Sequence, residues 1–270
     1  MYDAKTLSIL GAVVLATNPL SPSAIATLLE LDTEDVFTVL LSVHSLLILQ
    51  GDADQPVRPF HKSFPDFVTN PTRCTSQRFH ISPPDHHSHL LIGCLGLMDR
   101  KLEKNICKLP DAVANSDVDD LKERTEKYIN PTLKYACMSW HTHLVDADTI
   151  PAYTLTITHT LRKFLETRLL FWLEVLSVLG AVRNVVEALQ VVVDWLEVRR
   201  VSVLDVLLGF TQAGSRSHQR STSLTIVLAL WPDTSRLSAH PLPISISPRS
   251  YWPPKNRSCG NYMSHTPTLS

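Results

Sequence analysis

Apolar residues recur at helical spacing from the start of the chain. Leu7, Leu10 and Val14 mark one face of a first helix within 5–17. The stretch SPSAIATLLEL follows, where Ser21 can accept a hydrogen bond from the first turn and Pro22 suits the first helical position. Ile25, Leu28 and Leu29 give this second helix its apolar face. Asp32 is placed to cap a third, with Asp35 three residues on, running through VFTVLLSVHSLL. LLILQ (46–50) and PVRPF (56–60) predict two short strands joined by the polar turn GDAD, and Pro56 and Pro59 confine the second to an edge. Three helices and a β-hairpin in this order form a winged-helix pattern over 1–75.

From residue 86 onward the period is helical. Leu91, Leu95, Met98, Leu102 and Ile106 form one stripe. Ser116 is expected to cap the next helix, with Asp119 at its third position and Val118, Leu121 and Tyr128 inward. Pro131 begins another, with Leu133, Cys137, Trp140 and Leu144 on its stripe, and Pro151 precedes the helices of 152–198. The expected fold is mainly α: a winged-helix domain (1–75), an α-helical domain (76–198) and a disordered or out-of-frame tail (199–270).

Charge supports that last boundary. Residues 1–198 carry 17 Lys and Arg against 24 Asp and Glu, whereas residues 199–270 carry 8 against 2. The last 72 residues also hold 13 Ser, and seven Pro fall from Pro232 onward, a composition that gives little to bury. The whole chain has a net charge of −1, which argues for neither nucleic acid nor an anionic membrane as partner. The apolar run 169–196 is interrupted by Glu174, Arg183, Glu187 and Asp194, so it reads as buried helices rather than a membrane span. Five cysteines without a CxxC pair, and an N-terminus without a basic n-region, fit reduced thiols in a cytoplasmic protein.

Few residues suggest chemistry. A winged helix raises DNA binding, but the candidate recognition helix (32–44) has no Lys or Arg and three acids near its start, which phosphates repel. His80, His86, His87, His89 and Cys94 raise a zinc site. The histidines crowd one loop or helix start without a second ligand pair, so a solvated helix entrance is the expectation and no metal is assigned. His141 and His143 flank Thr142 and cannot face one way on a helix; they are expected at a surface edge. No GxSxG, HExxH or GxxxxGK[ST] occurs, so no catalytic residue is assigned and an enzyme is not expected.

PFHKSFPDF (59–67) carries a resemblance. It is similar to the end of the winged-helix domain in NACHT-type signalling NTPases of the STAND, or NLR-like, class. There a Phe-His step leads into a Ser-Phe-x-acid-Phe helix start, and Phe60, His61, Ser63, Phe64, Asp66 and Phe67 match in place. LGAVVLATNPLSPSAIATLL, FHISPPDHHSHLLIGCLGLM, LEKNICKLP and LKYACMSWHTHL resemble the post-NACHT region of fungal members, many of which carry WD40 repeats. The likeness spans roughly 8–198. It implies that His61 contacts the diphosphate of ADP when paired with a NACHT domain in cis or in trans. The cofactor is then ADP or ATP in the intact family protein, with none held by this chain alone.

The resemblance further implies a non-catalytic regulatory fragment that relays nucleotide state, working through protein partners. Family members also carry a segment like HIYISALPFAP. Suitable codons for PISISPRSYWPPKNRS, from Pro243, read from the third base, give HIYISALLLAPQKS. A frameshift or misassigned intron after about Val198 is therefore expected. Two other readings stay open: a stand-alone helical adaptor without a nucleotide role, and a DNA-binding winged helix.

Overall fold

The computed structural model describes residues 4–110, 114–147 and 151–198. The expected tail, 199–270, lies outside them. The order is α1 (Ala4–Leu15), α2 (Pro22–Leu29), α3 (Thr33–Ser42), β1 (Leu47–Ile48), β2 (Arg58–Pro59), α4 (Ser63–Val68), α5 (Pro83–Lys101), α6 (Leu121–Tyr128), α7 (Pro131–Asp146), α8 (Pro151–Thr167), α9 (Leu169–Val178) and α10 (Arg183–Val198). The described residues are thus mainly helical, with one antiparallel two-stranded ribbon that pairs Leu47 with Pro59 and Ile48 with Arg58. Among them no helix is long and apolar enough to cross a membrane.

Helix starts follow the sequence where a side chain can reach back. Ser21 Oγ accepts from the Ala24 amide, Asp32 from Glu34, and Asn130 from Leu133. Each such cap contributes about 1 kcal/mol. Ser116 does not act this way. Asn115–Asp117 form a short 3-10 turn, the Ser116 hydroxyl donates to Asp117 Oδ1, and the helix begins only at Leu121. The third helix also stops early, at Ser42, because His44–Leu46 tighten into a 3-10 turn that delivers Leu47 to the ribbon. The predicted stripe on α5 holds for Leu91, Leu95 and Met98. Leu102 and Ile106 are buried too, but from the irregular segment after the helix ends.

α1 is more deeply enclosed than a one-sided stripe implies. Ile9, Leu10, Ala12 and Val13 are all buried, because α1 packs against α2, α3, β2 and α5. One close approach and one ion pair join α2 to α5 beside it. A Cβ at Gly93 of α5 would lie 2.2 Å from the Leu28 carbonyl oxygen, so only glycine lets the end of α2 settle on α5. Glu30, which ends α2 in the left-handed region at φ 55°, then reaches Arg100 of α5 at 2.6 Å.

α7 is the centre of the second half, packed by α2, α5, α9 and α10. Leu133, Cys137, Trp140 and Leu144 point inward as the stripe predicts. Trp172 meets Trp140 and Phe164 edge to face, Trp140 and Phe164 are tilted against each other, the centroids lie 5.2 to 5.9 Å apart, and the Trp172 indole donates to the Cys137 carbonyl at 2.9 Å. One continuous apolar core runs from Ile9 to Leu196.

Candidate functional site

His61 stands exposed between β2 and α4. Its Nδ1 accepts from the Ser63 amide at 3.1 Å and lies 2.9 Å from the Ser63 hydroxyl. A nitrogen that accepts an amide proton carries none of its own, so the neutral ring is the Nε2–H tautomer, with that donor outward. His61 is therefore a capping residue for the first turn of α4 and, at the same time, an N–H donor facing solvent. Phe60 beside it is 71% exposed, and Phe67 at the other end of α4 is 42% exposed under the Arg73 guanidinium, 5.9 Å from its centroid.

The histidines of α5 are not a solvated entrance. His86 Nδ1 faces the Ser82 carbonyl at 2.9 Å and its Nε2 the Leu7 carbonyl of α1 at 3.1 Å. Carbonyl oxygens only accept, so both contacts are hydrogen bonds together only when the ring carries two protons. His87 Nδ1 meets His143 Nδ1 at 2.8 Å, and its Nε2 lies 3.9 Å from Asp146. His89 Nε2 lies 3.1 Å from the Tyr153 hydroxyl, while its buried Nδ1 has no partner. His80 and Cys94 stay apart from this set. Among the described residues no group of three His, Cys, Asp or Glu converges as a metal site would need.

His141 and His143 are not at a surface edge either; they are 3% and 0% exposed. α7 is covered on opposite sides by α5 and α10, so residues two apart can both face protein. His143 continues the link from His87: its Nε2 lies 2.8 Å from the Tyr135 hydroxyl, which accepts from the Thr17 amide at 3.4 Å. The Thr17 hydroxyl donates to Ser139 at 2.8 Å. A polar chain thus runs from Thr17 in the loop after α1, through α7, to His87 near the start of α5.

Burial sets the protonation of these groups. Desolvation pulls His87, His89 and His141 below the usual imidazole range, and pulls His143 down to about 3, with nearby His87 and His141 adding to the effect. Asp146 partly opposes the shift at His87, and Glu187 at His141. Burial pushes the Tyr135 phenol and the Cys94 thiol up, and Cys137 up to about 12. Protonated thiols are poor nucleophiles, and the imidazoles of this set are turned to protein partners, so the set acts by hydrogen bonding. Cys74, Cys94, Cys107 and Cys137 are buried free thiols.

A groove of about 550 Å³ opens between α1, the end of α2, α5 and α8. Its charged walls are already paired, Lys5 with Asp35, Lys163 with Asp99, and Arg100 with Glu30. No protein family's sequence profile matches the chain, and comparison with curated proteins and with solved structures likewise finds no match.

The buried chain is the feature that residue spacing missed. Its members come from positions 17, 87, 135 and 143, and no local pattern joins them. One signal was present: Tyr135, Ser139 and His143 recur every four residues, a polar line along one side of a helix whose apolar stripe is already complete.

Proposed function

We propose that residues 4–198 form a non-catalytic regulatory and interaction module of an NLR-like signalling NTPase, in which α1, α2, α3 and the ribbon make a winged helix. In this reading His61 touches the phosphates of a nucleotide bound by a partner NACHT domain, and the helical region behind it passes that state on. The observation that carries the reading is the arrangement at His61. Its Nδ1 is held by Ser63, its Nε2–H is turned to solvent, and the neighbouring Phe60 ring lies 71% exposed. An outward imidazole donor suits a phosphate oxygen, and a bare aromatic beside it suits a protein surface.

Titrating the full chain against a purified NACHT domain, ADP-loaded or nucleotide-free, tests this. ADP should tighten association, and His61→Ala should remove most of that gain, roughly tenfold or more for a hydrogen bond to a charged group. Equal binding with and without ADP, unchanged by His61→Ala, would instead favour the stand-alone adaptor. The middle of the polar chain, Tyr135, Ser139 and His143, is buried, which supports a role built on packing.

A further inference from the structure

With neutral rings, one arrangement of the polar chain makes every hydrogen bond, gives the Tyr135 O–H an acceptor and turns a donor rather than a lone pair toward Asp146. The Thr17 amide donates to Tyr135, the Tyr135 hydroxyl donates to His143 Nε2, His143 Nδ1–H donates to His87 Nδ1, and His87 Nε2–H faces Asp146. The direction is constrained because two Nδ1 atoms 2.8 Å apart can hold only one proton between them.

We propose that this chain is a proton-operated latch that fastens the loop after α1 to α7 and α5, closed while both imidazoles are neutral and reversed when His87 takes a second proton. The added proton comes from solvent. In the reversed state His87 carries protons on both nitrogens, His143 keeps a single proton but on Nε2, and Tyr135 keeps its hydroxyl proton. Tyr135 oxygen then accepts from both Thr17 and His143, and its own O–H loses the His143 acceptor. Tyr135 is only 7% exposed and its remaining polar neighbour is the Thr17 side chain, so the O–H turns against the Thr17 hydroxyl that holds Ser139 and the tie to Thr17 weakens.

The surroundings place the reversal at His87 rather than His143. On His87 bear Asp146 from α7, which favours a proton, and His86 from α5, which opposes one. On His143 bear His87 and His141, both opposing. Cys94 of α5 faces Tyr135, Glu187 of α10 faces His141, and the α1 side contributes the uncharged Thr17 among the described residues. Burial keeps His87 below its ordinary range, so the step falls below pH 6.5.

Nitrogen-15 NMR of the imidazoles in the full chain, from pH 7.5 downward, tests the latch. The expected result is a His143 proton on Nδ1 at pH 7.5 that moves to Nε2 in the same pH step in which His87 gains its charge. Protection of the Thr17 amide against hydrogen exchange should fall by roughly tenfold across that step, as a local tie opens. In His87→Gln, which does not titrate, Thr17 protection should stay flat over the same range. A His143 tautomer that persists while His87 becomes charged overturns the proposal, as does Thr17 protection indifferent to that charge. Both of these readouts come from the unsubstituted protein, so they decide for or against the latch even where His87→Gln fails to fold.

Discussion

The His86 ring occupies the space that a side chain at Gly11 would need: a Cβ there would fall 2.0 Å from His86 Cδ2. The absent side chain lets the imidazole reach the Leu7 carbonyl on α1 while Nδ1 stays on Ser82. Gly11→Ala should therefore expel His86 and cost about 1–3 kcal/mol in chemical denaturation, the usual range for overpacking. In a His86→Ala background the same substitution should cost far less. Additive effects in that double-mutant cycle would show that the two positions do not compete for space.

Gly93 is the contrasting case. Its added Cβ would meet the Leu28 carbonyl, which is backbone and cannot swing away. Gly93→Ala should thus separate α2 from α5 and cost at least as much as Gly11→Ala, with no single side-chain truncation restoring it. Rescue by shortening Leu28 would mean that the side chain, not the backbone, is the obstacle.

Stability should fall in mild acid. His87, His89, His141 and His143 are all held below the ordinary imidazole range by burial, so the unfolded chain binds protons more tightly than the folded one. Their contribution is fully present above pH 6.5 and is lost as pH falls below it. For His143 the loss continues toward pH 3, at up to about 1.4 kcal/mol per pH unit. Thermal melts at pH 7.5 and 5.5 should differ in that direction, and His143→Gln should flatten the slope. A melting temperature that rises on acidification would contradict this account.

Trp172 combines apolar burial with a hydrogen bond, and the two can be separated. Trp172→Phe keeps most of the ring contact with Trp140 and Phe164 but leaves the Cys137 carbonyl without its donor. It should cost about 1–3 kcal/mol, against about 3–5 kcal/mol for Trp172→Ala, which also opens a cavity. Equal losses for the two variants in denaturant titrations would mean that the hydrogen bond alone dominates.

Much of the helical framework was legible because its signals are local. Ser21 and Asp32 reach amides two or three residues ahead, and the apolar repeat of Leu133, Cys137, Trp140 and Leu144 is a property of one helix. Ser116 was misread for a local reason, whereas the misread histidines depend on partners distant in sequence. Ser116 looks like a cap, but its hydroxyl is taken by Asp117 and the chain turns before it coils. His141 and His143 look solvated until α5 and α10 close on both sides of α7. His61 was singled out through its neighbours in PFHKSFPDF, and its bond to Ser63 spans only two residues.

The central position of α7 also bears on how the chain is made. Trp140 leaves the ribosome well before Trp172 and before α10, which cover it. At ordinary synthesis rates the apolar stripe of α7 waits several seconds for its covering helices, at roughly 5–20 residues per second. During that interval the nascent protein presents a tryptophan-bearing helix covered by α2 and α5 but open on the side that α9 and α10 later close. Its yield in the cell therefore depends on what shields that helix until the last third of the fold arrives.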